Sequence, residues 1–198
     1  MVEIKPLEPH KTALVAIDLQ SMIMARATEP FTPQQVLDAS VRAADGLRRA
    51  GGLAVLVHVS FSPDFGDMLR PSTDSGQTMA PPATGYDTIE PALNPKAGQT
   101  LIVAKRQWGA FTGTDLDLQL RRRGIDTIAL CGISTNIGVE STARNAYELG
   151  YRLVFLSDAM AAMSHEEHVH PFNYIFPRMG HIRSVSEFLE LLGSGSQP

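Results

Sequence analysis

The apolar and polar positions of the chain alternate between short β-rich runs and longer segments with helical spacing. The apolar runs are TALVAID, LAVLVHVSF, TLIVAK, TIALCGI, RLVFLSD and a weaker sixth, HIRSV. Because the runs are apolar almost without interruption, each strand is expected to be covered on both faces. Strands that alternate with helical segments predict an α/β fold built from parallel βαβ units.

Four of the intervening segments carry helical patterns. The first, at 32–52, has Thr32 as an N-cap, Pro33 at the first helical position and Gly51 at its end. The segments at 114–125, 136–151 and 164–176 are also predicted to be helical. The tract from Ser62 to Gly98 holds much of the Pro and Gly, which predicts a long loop with a short helix and makes it a candidate lid.

Composition and charge narrow the function classes. A chain of 198 residues with 43% hydrophobic residues has the length of a single domain, here 1–198, in which GSGSQP at 193–198 is expected to be a flexible tail. A net charge of -4 lacks the basic excess that nucleic acid or an anionic membrane requires. One cysteine, no secretion signal and no apolar run of bilayer length lead us to expect a cytoplasmic protein without a transmembrane segment.

Polar residues at the ends of the predicted strands indicate where a ligand would bind. In open α/β sheets, ligand sites lie outside the carboxyl ends of the strands. The first run ends in Asp18, the third ends in Lys105, and the fourth passes through Cys131 into the start of a helix. Each residue alone could simply be polar because the apolar strand ends there. An acid, a base and a helix N-terminus at one edge together favour an active site.

Three segments of the chain are similar to a known family. AIDLQ, AKRQWGAFTGTDLDLQLRRRGIDTIALCGISTNIGVESTARNAYELGY and SDAM resemble the isochorismatase-like hydrolases, or cysteine hydrolase superfamily, and in particular its YecD-type branch. The resemblance implies a three-layer α/β/α Rossmann-like fold with a six-stranded parallel sheet in the order 3-2-1-4-5-6. Amidases of this family use an Asp, a Lys and a Cys, whose matching positions here are Asp18, Lys105 and Gly138.

The glycine at the nucleophile position decides which mechanism is expected. Cys131 lies seven residues before that position, inside an apolar run, and is expected to pack as a small hydrophobe. Gly138 has no side chain that could attack a substrate, so no thioester can form there. True isochorismatases also carry Gly at this position and hydrolyse an enol ether without a covalent intermediate. The sequence of the true isochorismatases near this glycine differs from STNIGVEST, however. The segment STNIGVEST resembles the amidase sequence with its Cys removed.

The resemblance therefore implies a noncovalent hydrolase that acts on an enol ether or an amide-type bond. Asp18 is expected to act as general acid or base beside Lys105, with water as the nucleophile. Backbone N–H groups of Ser134 and Gly138 are candidates for an oxyanion site, and the family implies a cis peptide between Ile133 and Ser134. Candidate substrate-binding residues are Gln20, Phe61, Trp108, Phe111 and Asn136.

Metal ions and cofactors are not expected. His165 and His168 could share one helical face as metal ligands, but Ser164 and Glu167 have the spacing of a helix capping box. Nicotinamidases bind a metal through an Asp-x-His pair, of which this chain has only His58. No Gly-rich phosphate loop is present in the sequence.

A second function class remains open beside the hydrolase. A catalytically silent relative that binds a small molecule or a protein partner could also retain Asp18 and Lys105, because a buried ion pair can serve structure alone. The family further implies a homo-oligomer, dimeric or larger.

Overall fold

Six parallel strands form the centre of the computed structural model, which describes residues 4–76 and 80–193. The strands are β1 (Thr12–Ile17), β2 (Leu53–Val59), β3 (Thr100–Lys105), β4 (Thr127–Ile133), β5 (Arg152–Ala161) and β6 (His181–Arg183). They lie in the order β3-β2-β1-β4-β5-β6. The predicted sheet and its order are confirmed. The order reverses between β1 and β4, so a ligand site is expected at the carboxyl ends of these two strands.

Helices cover both faces of the sheet, as predicted. The α-helices are α1 (Ser21–Met24), α2 (Pro33–Arg49), α3 (Leu116–Arg122), α4 (Glu140–Glu148), α5 (His165–Tyr174) and α6 (Val185–Gly193). Short 3-10 helices span Pro9–Lys11, Pro91–Leu93 and Phe176–Arg178, and a π-helix spans Thr135–Val139. Among the described residues, no helix is both long and apolar enough to cross a bilayer.

Alternate residues of each strand supply two separate cores. Leu14 and Ala16 of β1 pack in the layer that holds α2 and α6, whereas Val15 and Ile17 pack in the layer that holds α3 and α4. This division follows from the two-residue period of a strand. It explains why the strand sequences are apolar almost without interruption.

The long helix α2 begins as its sequence predicts. The Thr32 hydroxyl accepts a hydrogen bond from the Gln35 N–H, and the Gln35 side chain accepts one from the Thr32 N–H. Pro33 follows the cap, where its missing N–H leaves no helical hydrogen bond unmade. Gly51, just beyond the helix, has a φ of 91°, a conformation that glycine adopts without strain.

The C-terminal helix α6 was not among the predicted helices. Ser184 follows β6 directly, and its hydroxyl accepts a hydrogen bond from the Glu187 N–H while the Glu187 carboxylate accepts one from the Ser184 N–H. The predicted strand at 181–185 therefore ends early, and a helix begins. Within the described part of 62–98, the 3-10 helix Pro91–Leu93 corresponds to the short helix expected there. The predicted tail lies outside the described residues from position 194 onward.

Substitution of the α2 cap tests this account of the fold. Thr32→Ala removes the hydroxyl that accepts the Gln35 N–H, so we expect the free energy of unfolding to fall by about 1 kcal/mol. Urea denaturation measures the change, provided that the slope of the unfolding free energy against urea concentration is the same for variant and wild type. Thr112→Ala, at an exposed loop position, is the matched control and should stay within about 0.5 kcal/mol of wild type. Equal stability of both variants would contradict the capping role.

Candidate active site

A buried ion pair lies at the carboxyl edge of the sheet. The Lys105 Nζ donates hydrogen bonds to the Asp18 Oδ2 at 2.8 Å and to the Trp108 carbonyl oxygen at 2.6 Å. Lys105 is 1% exposed and Asp18 is 7% exposed, so the two charges are almost completely removed from water. Because β3 is separated from β1 by β2, the lysine side chain has to cross the end of a strand to reach the carboxylate.

Asp18 is held in an unusual backbone conformation directly after β1. Its φ is 56°, and its N–H donates to the carbonyl of Val57 on the neighbouring strand. Its carbonyl oxygen accepts the N–H of Gln20, which closes a tight turn. This turn ends the strand and fixes the direction in which the carboxylate leaves the sheet.

The two carboxylate oxygens of Asp18 have different environments. Oδ2 accepts the hydrogen bond from Lys105, whereas Oδ1 is buried and accepts no hydrogen bond from the described residues. Burial raises the pKa of Asp18 to about 6, and the charge and hydrogen bond of Lys105 oppose that rise. A carboxyl group with this pKa can both accept and donate a proton near neutral pH.

Asp18 and Lys105 open onto a cavity of about 210 Å³. Its walls are mainly apolar, and among its charged lining residues Lys105 is paired with the Asp18 carboxylate. The lining residues are Asp18, Met22, Ile23, Arg26, Val59, Phe61, Leu69, Lys105, Arg106, Gln107, Trp108, Ile133, Ser134, Ile137, Gly138 and Met163. A cavity of this size and polarity suits a small organic molecule.

The chain forms the opposite wall by passing from β4 into the π-helix Thr135–Val139. The peptide between Ile133 and Ser134 is cis, as the family resemblance implies. The Val139 N–H donates to the Ser134 carbonyl five residues earlier, which is the π-helical hydrogen bond. The wide turn brings Gly138 into the cavity wall beside the ion pair.

Gly138 stands where a side chain would contact both members of the pair. A Cβ atom built on Gly138 lies 3.0 Å from the Asp18 Oδ2 and 3.4 Å from the Lys105 Nζ. It also lies 2.9 Å from a methyl group of Ile17, which would have to shift slightly. The residues matched to the family's acid, base and nucleophile positions are therefore brought together at one point.

A histidine of α5 supports the π-helix, a contact that sequence reasoning missed. The His168 Nδ1 and the Thr135 hydroxyl are 2.9 Å apart, and both residues are buried. Burial lowers the pKa of His168 to about 4, so the ring is neutral at pH 7. The Ser164 hydroxyl accepts the Glu167 N–H and so caps α5, which is half of the predicted capping box; among the described residues, the reciprocal bond from the Ser164 N–H to the Glu167 carboxylate is not formed.

Two of the five predicted substrate-binding residues, Phe61 and Trp108, line the cavity, and three do not. The Gln20 side chain is fully buried and bonds the backbone of Val59 and the carbonyl of Tyr86, so it joins the end of β2 to the long loop. Its position two residues after Asp18 led to the prediction that it lines the pocket. Its amide group, however, already forms hydrogen bonds with backbone groups.

Phe111 and Asn136 are the other two predicted substrate-binding residues that do not line the cavity. Phe111 packs on the ring of Tyr151 in the core between the sheet and α3, with a centroid separation of 5.8 Å. The Asn136 Oδ1 accepts a hydrogen bond from the Ser134 hydroxyl, and Asn136 is not part of the cavity lining. Neither residue therefore belongs to the cavity lining.

The cavity also contains residues that carried no signal in the sequence. Met22, Ile23 and Arg26 come from α1 and the turn after it, and α1 has only four residues, too few to show a helical period. Leu69 comes from the long loop, whose predicted position near the site is supported by this contact.

Cys131 is not available for chemistry. It is completely buried in the layer that holds α2, and burial raises the pKa of its thiol to about 12. The prediction that it packs as a small hydrophobe is confirmed. In the part of the chain that the structure describes, no three His, Cys, Asp or Glu side chains form a group able to hold a metal ion.

Comparisons with known proteins agree with this geometry. Residues 12–187 match the family model described as the isochorismatase domain. The chain is 46% identical to the isochorismatase family protein YecD of Escherichia coli O157:H7, over 94% of this chain and 98% of YecD. It is 49% identical to the isochorismatase family protein YwoC of Bacillus subtilis (strain 168), over 91% of this chain and 94% of YwoC.

Solved structures of similar proteins share the fold. An isochorismatase family protein from Burkholderia thailandensis superposes with a TM-score of 0.87 at 39% identity, covering 96% of this chain and 100% of that protein. N-carbamoylsarcosine amidase from Thermoplasma acidophilum superposes with a TM-score of 0.70 at 26% identity, covering 88% of this chain and 96% of the amidase.

Introducing a thiol at position 138 tests the geometry of the site. Gly138→Cys places a cysteine beside Lys105 and in the first turn after β4, so we expect its pKa to fall from about 8.5 to roughly 4 to 7. Iodoacetamide should then alkylate residue 138 rapidly at pH 6, as measured by mass spectrometry of the digested protein. Wild-type protein, whose only thiol is Cys131, should barely react.

A matched control separates low pKa from simple access. Thr112→Cys places a thiol at an exposed loop position, where it should react at pH 8.5 but slowly at pH 6. An inert residue 138 together with a modified Cys131 in the wild type would mean that Gly138 does not occupy the nucleophile position.

Proposed function

The chain belongs to the isochorismatase family of hydrolases, and from that premise we propose that it hydrolyses a C–O or C–N bond of a small molecule without a covalent intermediate. One observation carries the proposal. The Asp18 carboxylate is held by Lys105 through one oxygen, accepts no hydrogen bond from the described residues at its other oxygen, and faces a glycine where the family's amidases have a nucleophile. The acid–base pair is present, and the thiol is absent.

Water takes the place of the thiol in the proposed reaction. Asp18 and Gly138 line the same cavity, so a water molecule held in the cavity beside the Asp18 carboxylate, in the space that the amidases' thiol would fill, can lose a proton to Asp18 as it attacks the substrate. Asp18 then returns the proton to the leaving group. The Lys105 ammonium, through its charge and its hydrogen bond, limits the rise in the pKa of Asp18.

For an enol ether, Asp18 beside Lys105 would act first as an acid and then as a base, which is the reverse of its order for an amide-type bond. Protonated Asp18 gives its proton to the carbon of the double bond, and water adds to the resulting cation while losing a proton to the Asp18 carboxylate. The C–O bond of the hemiketal then breaks as its hydroxyl proton passes to the leaving alcohol, and a carbonyl group forms. A pKa of about 6 makes both protonation states accessible near neutral pH. We propose the backbone N–H groups of Ser134 and Gly138 as donors to the oxygen that becomes negative when an amide-type bond is attacked.

The size of the cavity and the relatives support a small substrate. About 210 Å³ accommodates a molecule of one ring or a short chain, and the apolar walls exclude bulk water from the carboxylate. The structurally similar N-carbamoylsarcosine amidase is named for an amide-type bond, which is one of the two bond classes proposed here.

Replacement of the carboxylate tests catalysis directly. The purified protein is assayed against a panel of enol ethers, amides and lactams, and Asp18→Asn should lower kcat/KM for any hydrolysed compound by about 10²- to 10⁴-fold. Asparagine tolerates the left-handed backbone at this position but leaves the buried Lys105 charge unpaired, so circular dichroism and thermal unfolding verify that the variant is folded before it is assayed. Asp74→Asn, at an exposed loop position, is the matched control and should leave kcat/KM unchanged.

A protein that hydrolyses no compound of the panel but still binds small molecules would favour the silent relative. Full activity of Asp18→Asn would instead remove Asp18 from the mechanism.

The pH profile reports which protonation state of Asp18 is used. For an amide-type substrate, the carboxylate must accept a proton from water, so kcat/KM should rise through pH 6 and then level. For an enol ether, the protonated form is required, and kcat/KM should fall through the same range. A profile that is flat from pH 5 to about 7.5 for an active substrate would contradict proton transfer by Asp18.

A further inference from the structure

The cations around the cavity are not equivalent. Lys105 is paired with Asp18, and the Arg106 Nε lies 2.9 Å from a carboxylate oxygen of Asp67. Arg26 also lines the cavity, and within the described ranges its guanidinium has no ion-pair partner. Asp18 is the only acidic residue of the lining, so the cavity carries one positive charge that the protein itself does not neutralise.

Arg26 is exposed and lies on a short segment that is anchored on both sides. Before it, Gln20 pairs with Ile89 through an isolated bridge. After it, Glu29 exchanges two backbone hydrogen bonds of 2.9 Å with Ala162. The Arg26 N–H itself donates to the carbonyl of Ile23. The backbone of Arg26 is therefore held at the cavity wall, eight residues beyond Asp18.

The nearest acidic side chain along the chain is already occupied. Glu29 uses its carboxylate to accept the N–H of His165 at the start of α5, and it forms no ion pair with Arg26. The guanidinium remains available to a ligand. Its planar set of N–H donors matches the two oxygens of a carboxylate.

We propose that Arg26 binds a carboxylate group of the substrate and thereby decides which end of the molecule meets Asp18. Apolar walls cannot solvate an anion, so a carboxylate in this cavity needs a cation with unused donors. Ionised Asp18 repels a second negative charge and favours an uncharged bond at its own end. The substrate carboxylate therefore lies at Arg26, and the bond to be hydrolysed lies in the cavity beside Asp18 and Gly138.

The inference uses the same cavity as the proposed function, but binding can be measured without hydrolysis. Trp108 is the only tryptophan of the chain and lines the cavity, so its fluorescence reports occupancy. Cyclohexanecarboxylate and its neutral amide, cyclohexanecarboxamide, have similar shapes and do not absorb where tryptophan is excited. Their dissociation constants are measured by fluorescence titration at pH 7.5.

Wild-type protein should bind the carboxylate about tenfold more tightly than the amide, which is the size expected for a charge-assisted pair at a partly solvated site. Arg26→Gln should abolish this preference while binding of the amide stays within twofold of wild type. Asp18→Asn should keep the preference even if hydrolysis fails, which separates the two proposals.

A matched variant tests whether the effect belongs to Arg26 or to positive charge in general. Arg106 lines the same cavity but is paired with Asp67, so Arg106→Gln should retain most of the preference. The inference is overturned if Arg26→Gln retains the preference, if both variants lose it equally, or if wild-type protein binds the carboxylate no better than the amide or binds neither.

Discussion

The contact between Lys105 and Asp18 is the interaction on which the site depends. Two opposite charges that are almost completely buried stabilise each other only while both are present, and removing one partner of such a pair typically costs about 3 to 5 kcal/mol. Here the pair also joins the ends of β1 and β3 across β2. The second hydrogen bond of Lys105, to the Trp108 carbonyl, attaches the following loop to the same point. One ammonium group thus organises three separate segments around the carboxylate.

Glycine at position 138 changes what this pair can do. With a thiol in contact, a carboxylate and an ammonium group serve to activate a nucleophile. Without it, the same carboxylate is left facing an open cavity, with a pKa near 6 and one unbonded oxygen. The arrangement favours direct proton exchange with water or substrate. A free cation on the anchored turn after α1 complements this, because it gives a charged substrate one preferred orientation before any proton moves.

Much of the fold was predictable because the sheet is buried on both faces. Each of the six strands appeared as an apolar run, and Thr32 and Pro33 marked the start of α2 through local chemistry alone. Helix α6 was missed because its cap, Ser184, falls inside the last predicted strand. Asp18 and Lys105 were predictable because parallel strands bring their carboxyl ends to one edge. The cavity walls were not, since they depend on loop contacts such as the bonds from Gln20 to Val59 and Tyr86.

The backbone at Asp18 restricts this position before any chemistry is considered. A φ of 56° is costly for most side chains and prohibitive for β-branched ones, while glycine, asparagine and aspartate adopt it readily. Of these three residues, only aspartate has a side chain that can accept and donate a proton near neutral pH. Glutamate, the usual chemical substitute for aspartate, is therefore disfavoured by conformation, at a cost of about 1 to 2 kcal/mol, as well as by length. The turn that ends β1 thus favours a small set of residues, and aspartate is the acid in that set.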